Sequence, residues 1–201
     1  MDTNELAIIE KKNLTISYDK SKLSRIDSEI AGYLTPDEIH KVLSCISNKT
    51  HFLLADFLWK TGCRITEAIS IRKRDIDFYN RTVSIRWLKG RKQRQRLIPM
   101  HQTLAYALSV YCGSMNLDDV VFQMSRQRAW QIVRKYGNQA SIGKELHPHT
   151  FRHSFAIYFL GKVGNLIMLK DLLGHANITT TMVYLKYVQA DKAEKINGLD
   201  F

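Results

Sequence analysis

The hydrophobic spacing of this chain changes period once and then changes back, and that switch restricts the fold more than any other feature. From Tyr33 to about Ile71 the apolar residues recur at helical intervals. The stretch "DIDFYNRTVSIRWLKGRKQRQRLIPM" then gives β-rich runs at Ile76 to Phe78, Thr82 to Trp87 and Arg96 to Pro99, broken at Tyr79-Asn80 and at Gly90. From Leu104 onward helical spacing returns. Three short strands flanked by helices predict an α+β chain, mostly helical, with one small three-stranded antiparallel sheet.

Punctuation residues place the helices. In "YLTPDEIHKVL" Thr35 suits an N-cap, Pro36 the first helical position and Glu38 the return partner of a capping box. "HFLLADFLWKTG" ends at Gly62, and a short helix runs roughly from Thr66 to Ile71. "SRQRAWQIVRKYG" has Ser125 as cap and Gly137 as stop. Thr150 suits a cap for "FRHSFAIYFLGKVG", a short helix ends at "LLGH", and Thr179 or Thr180 opens a last helix through Tyr187. Residues 1–32 read as an arm or edge strand, 33–190 as one domain, and 191–201 as a tail.

Charge narrows the partner. The net charge is +11 and the pI about 9.6. A basic excess of that size points to a polyanion, nucleic acid first and an anionic membrane surface a distant second. No run approaches the roughly 18 apolar residues of a membrane span, and the start "MDTNELAIIEKK" has no signal-peptide core. Cys45, Cys63 and Cys112 are odd in number and far apart, so they read as free thiols in a reducing compartment.

Four stretches could bear chemistry. "TGCRITEA" sets Glu67 three residues after Arg64, which suits a surface ion pair as well as a site. "RWLKGRKQRQR" holds Arg86, Lys89, Arg91, Lys92, Arg94 and Arg96 without an acid, a solvated hairpin or a phosphate-tracking one. "HPHTFRHSFA" gathers His147, His149, Arg152 and His153 at a helix start. It suits structural histidines, a zinc site completed by His175, or an anion cradle at free backbone N–H groups; the absence of HExxH and of a nearby Cys pair disfavours zinc. "LLGHANITTTMVYLKY" puts Tyr184 nine residues after His175.

In chain order, "TGCRITE", "LKGRKQR", "HTFRH", "LLGH" and Tyr184 resemble the motif set of the tyrosine recombinase (phage integrase) family. The resemblance covers about residues 33 to 190. It departs in Phe151, where Leu is usual, and in the missing N-terminal core-binding domain, which leaves open how DNA is clamped. The resemblance implies a fold of the predicted class and a metal-independent enzyme that breaks and rejoins DNA through a 3′-phosphotyrosine. It implies Tyr184 as nucleophile, Arg64 and Arg152 as forks on the phosphate, Lys89 as general acid to the leaving oxygen, and His149 and His175 as proton-handling or phosphate-binding groups. Glu67 then orients Arg64 or the histidine, with His147 and His153 in support, and Arg86, Arg91, Lys92, Arg94 and Arg96 follow the DNA backbone. These residue types suit the chemistry: guanidinium stays charged at any working pH and matches phosphate oxygens bidentately, and a phenolate stores the phosphodiester energy as an ester.

The partner implied is double-stranded DNA, with no membrane and no cofactor; a monomer in solution would assemble as four protomers on two sites, in the cytoplasm with the nucleoid, from a prokaryote, a virus or a mobile element. A DNA-binding module without chemistry and a topoisomerase IB-like relaxing enzyme are the alternatives. Tyr187 competes with Tyr184 geometrically, but its distance of twelve residues from His175 does not match the family. The sparse apolar residues after Tyr184 lead to the expectation that the tail packs on a neighbouring protomer.

Overall fold

The computed structural model describes residue 30, residues 32–89 and residues 92–188, apart from the side chains at 87–89 and 92–94. The arm at 1–29, the Gly90-Arg91 link and the tail from 189 lie outside the described residues, and with them the expectations placed there.

Helix α1 (Pro36–Ser44) begins as its sequence dictates. Thr35 Oγ1 accepts from the Glu38 amide, and Glu38 Oε2 accepts from the Thr35 amide at 2.8 Å. Glu38 also takes the Lys144 ammonium at 2.7 Å, which ties α1 to a distant loop. Helix α2 (Lys49–Thr61) is capped by Asn48 and ends at Gly62 with φ of 62°. Only glycine suits that position, because a Cβ there would lie 2.2 Å from the Phe155 ring. Helix α3 (Ile65–Ala68) is a single turn.

The sheet has the order β1 (Ile76–Asp77), β2 (Thr82–Lys89), β3 (Lys92–Pro99), all antiparallel, with Ile85 opposite Arg96 and Lys89 opposite Lys92. The hairpin is longer than the sequence spacing suggests, because polar and basic residues continue the ladder on both sides of the turn. Four further helices follow: α4 (Gln102–Tyr111), α5 (Arg126–Gln139), α6 (Pro148–Val163) and α7 (Leu166–Leu173). A short α8 (Thr179–Met182) passes directly into a 3₁₀ turn at Val183–Tyr187.

Several helix boundaries differ from expectation: α3 ends at Ala68, short of Ile71, and α8 begins at Thr179 with Ile178 before it. Helix α5 runs through Gly137 because that glycine packs where a Cβ would lie 2.7 Å from Leu146 Cβ; it is a close-packing residue and no stop. Helix α6 starts at Pro148, with extended His147 as its cap and Thr150 at the third position, where Thr150 Oγ1 accepts from the His147 amide at 3.2 Å. Proline at the first position needs no amide partner, so the start moves back to it. The last helix is split into an α turn and a 3₁₀ turn.

Two apolar clusters form the interior. The larger collects Phe57, Phe122, Phe151, Ile85 and Ile98 with parts of α1 to α5. The smaller holds Ile30, Ala156, Ile157, Leu160, Leu169, Leu173 and Tyr184. Helix α6 contributes to both and so sits between them. Among the described residues no helix is long and apolar enough to cross a membrane.

Candidate active site

Arg152 lies on the second turn of α6 and is 3% exposed. Its Nη1 donates to the Gly62 carbonyl at 2.8 Å; its Nη2 donates to the Leu173 carbonyl at 2.8 Å and reaches His175 Nε2 at 2.9 Å. Both carbonyls belong to helix C-termini, those of α2 and α7, where the helix dipole favours a cation. The end of α7 takes a second guanidinium as well, since Arg96 Nε donates to the Leu172 carbonyl at 2.9 Å. Burial, and then the charge of Arg64, lower the Arg152 guanidinium to about 10, which still leaves it charged at neutral pH. The anion cradle expected at free backbone N–H groups does not form around Arg152, which lies in the second turn with helix-end carbonyls as its partners.

Arg64 stands just before α3, between Gly62 and the helix. Its amide donates to Glu67 Oε2 at 2.7 Å and its Nη1 to Oε1 at 3.1 Å, so the same carboxylate fixes backbone and side chain. The Arg64 side chain remains 39% exposed, whereas Glu67 is 6% exposed. Burial alone would raise the Glu67 carboxyl, but the hydrogen bonds and charge of Arg96 outweigh it and hold the group below its ordinary value.

His175 follows Gly174 at the end of α7. Its Nε2 accepts from Arg152, so the proton sits on Nδ1, which donates to Thr181 Oγ1 at 2.9 Å. Burial first, and then Arg152, push His175 down to about 3, which keeps the ring neutral. Thr181 is fully buried in α8, just before the turn that bears Tyr184.

Tyr184 is 3% exposed, its ring among the smaller core cluster and its hydroxyl 3.0 Å from His153 Nδ1. Burial raises the phenol; the charges of Arg152 and Arg64 act against that rise and show how close they lie. His153 is pushed down to about 3, by burial first and then by His149. Its other nitrogen, Nε2, is buried without a hydrogen-bond partner. His149 is exposed, with its ring centroid 6.2 Å from that of His153 and 6.3 Å from that of His147. It borders a groove shared with Ile65, Arg126, Trp130 and Pro148. Among the described residues no three His, Cys, Asp or Glu side chains gather as a metal-holding group.

Arg64, Arg152, His175, Tyr184, Glu67 and His153 therefore meet at one place, with His149 at its rim. The basic hairpin divides. Arg86 is half-exposed and pairs with Asp75 at 3.1 Å. The Lys89, Lys92 and Arg94 side chains and all of Arg91 lie outside the described residues. Arg96 corrects the expectation of a DNA-tracking group: it is 8% exposed and grips Glu67 with both Nη atoms, at 3.1 and 2.8 Å. The signal was present in the strand period, since Arg96 shares a face with buried Ile98 and opposes buried Ile85. Thr181 had no such signal, because its role depends on where His175 falls. The neighbouring Arg72, Lys73 and Arg74 hold the loop at 113–119 through Asp118, Gly113 and Met115.

Known proteins share this fold. A crystal structure of XerA recombinase superimposes with a TM-score of 0.70 at 25% identity, covering 84% of this chain and 66% of that one. A tyrosine recombinase of Pseudothermotoga lettingae is 36% identical over 183 residues, covering 87% of this chain and 63% of the relative. The XerA of Pyrococcus horikoshii is 29% identical over 188 residues, covering 89% and 65%. The chain thus spans a little under two thirds of the length of these curated relatives. Residues 32–191 match the model of the phage integrase family, a span that contains every side chain of the site. The chain belongs to the phage integrase family.

Proposed function

We propose that this chain cleaves and rejoins double-stranded DNA at specific sites through a covalent 3′-phosphotyrosine formed by Tyr184. The observation that supports this best is the buried Tyr184 hydroxyl, bonded to His153 and lying in the field of Arg152 and Arg64. Three guanidinium groups (Arg64, Arg96 and Arg152) surround one carboxylate, Glu67, which leaves two positive charges uncompensated among these four groups. That excess suits the doubly negative pentavalent phosphorus of an in-line displacement.

In the step proposed, the Tyr184 oxygen attacks the scissile phosphorus, the bond to the 5′-oxygen breaks, and that oxygen takes a proton from Lys89. The Tyr184 proton passes to His153, with His149 beside it. In the DNA-free protein His153 is a weak base at about 3, so the phenol keeps its proton. Burial is the first cause of that low value and the charges of His149 and Arg152 add to it; a bound phosphate offsets those charges and raises the basicity of the imidazole in part, which couples nucleophile activation to the arrival of DNA. His175 can then leave Arg152 and donate from Nε2, because the Thr181 hydroxyl serves either tautomer, as acceptor or as donor. A second 5′-hydroxyl reverses the sequence on a new partner strand.

Four protomers on two DNA sites, a tail packed between neighbours, and a cytoplasmic, nucleoid-associated location follow from this reading. The test is incubation with nicked DNA from the flanks of its own gene, in EDTA, followed by a denaturing gel. A protein–DNA adduct that survives denaturation and ignores the chelator is expected. No adduct, or one that requires a divalent ion, would reject the mechanism. Relaxation of supercoiled DNA without any such flank would favour the topoisomerase-like alternative.

A further inference from the structure

Arg96 is a buried cation of the hairpin that reaches both arms of the site. Each Glu67 oxygen accepts one hydrogen bond from Arg96 and one from Arg64: Oε1 takes Nη1 of both, and Oε2 takes Arg96 Nη2 and the Arg64 amide. A carboxylate held on four sides in this way cannot rotate without breaking its hold on Arg64. The third reach of Arg96, from Nε to the Leu172 carbonyl, lands one residue before the carbonyl that holds Arg152 and three before His175. The fit is close: a Cβ on Gly174 would lie 2.8 Å from Arg96 Nη1. Because Ile85 pairs opposite and Ile98 lies beyond, the strand fixes where the guanidinium enters.

We propose that Arg96 is a positioning residue that sets Arg64 through Glu67 and locks the Arg64 turn to the His175 turn, with no contact to DNA. This rests on Arg64 as a phosphate-binding group, the reading given above. Without Arg96, Glu67 is a buried carboxylate with half its partners gone. It takes a proton or swings toward water, and Arg64 loses its fork alignment. A lysine keeps the charge but has no planar fork for two oxygens and a carbonyl at once, so it restores the effect only in part.

The experiment compares wild type, Arg96→Ala, Arg96→Lys and Arg64→Ala, with Arg96→Ala also placed in the Arg64→Ala background. ¹⁵N relaxation of the Arg64 side-chain Nε–H in the DNA-free protein reads alignment without any need for activity. In Arg96→Ala this group should lose order, and in Arg96→Lys less so. With nicked DNA at saturation, adduct formation by Arg96→Ala should slow about 100-fold. The half-saturating DNA concentration and its salt dependence should stay as in wild type. In the Arg64→Ala background the further loss should fall well below about 100-fold, since the part of the effect that runs through Arg64 is already gone. Unchanged Arg64 order would overturn the proposal. So would weaker DNA binding with a salt slope reduced by about one, the signature of a phosphate contact. If Arg96→Ala fails to fold, Arg96→Lys carries the same readings. If wild type itself forms no adduct, the recombinase reading falls, and the relaxation data still decide the role of Arg96.

Discussion

Arg64 and Arg152 have the same side chain and the same expected work on a phosphate, yet the fold embeds them in opposite ways. Arg152 is 3% exposed and commits three of its hydrogen bonds to two helix ends and a histidine. Arg64 is 39% exposed at the side chain and leans on a single carboxylate. One guanidinium is part of the framework as well as the site; the other is held at the surface where a strand of DNA can meet it. The difference separates stability from chemistry: removing Arg152 should damage both, removing Arg64 chiefly the second.

The largest effect is expected for Arg152→Ala. It strands the Gly62 and Leu173 carbonyls in the interior, at roughly 2–4 kcal/mol of stability, and abolishes adduct formation. Urea denaturation beside the adduct assay reads both, and a variant as stable as wild type would contradict the framework role. Arg64→Ala should lower adduct formation by about 100- to 1000-fold and shift stability by less than about 1 kcal/mol. A large drop in its unfolding midpoint would erase the contrast.

The two framework histidines give a pH signature. Ordinary imidazoles titrate near 6.5, while His153 and His175 are held at about 3 in the folded chain. Between those values the unfolded chain binds protons that the folded chain refuses. Stability should therefore rise from about pH 3 to about pH 6.5 and level off above, with a slope of up to about 1.4 kcal/mol per pH unit for each histidine. Denaturation midpoints across that range test it, and a flat profile below pH 6 would show that neither ring is held neutral. The smallest effect belongs to Thr181→Val, which removes the Nδ1 partner of His175. It should lose about 1 kcal/mol, with DNA affinity unaltered. An unchanged midpoint would show that water replaces the hydroxyl.

Much of the frame was legible because it is local. The Thr35–Glu38 box, the helix end at Gly62 and the onset of period two at Ile76 are decided by neighbours in sequence, and they stand where the spacing put them. Gly137 misled because a helix-interior glycine and a terminal one look alike until Leu146 is seen against it. In the site, the resemblance of the motif set to the tyrosine recombinase family singled out Arg64, Arg152, His175 and Tyr184, and these residues meet. Spacing could not show which histidine touches the tyrosine. His149 and His153 are one turn apart on α6, and only packing turns His153 inward to the hydroxyl while His149 stays exposed. It also could not separate Arg96 from its basic neighbours, since six cations in one hairpin look alike before a strand face is assigned.

The nucleophile is the central claim, and Tyr187 is its rival one 3₁₀ turn away. Tyr187 is half-buried and edge-on to the Tyr33 ring at 6.1 Å. The direct measurement is mass spectrometry of the trapped adduct after nuclease and protease digestion, which locates the nucleotide on one peptide residue. The account predicts the phosphonucleotide on Tyr184, and no adduct from Tyr184→Phe at wild-type DNA affinity. A nucleotide on Tyr187, or an adduct that persists in Tyr184→Phe, would contradict it.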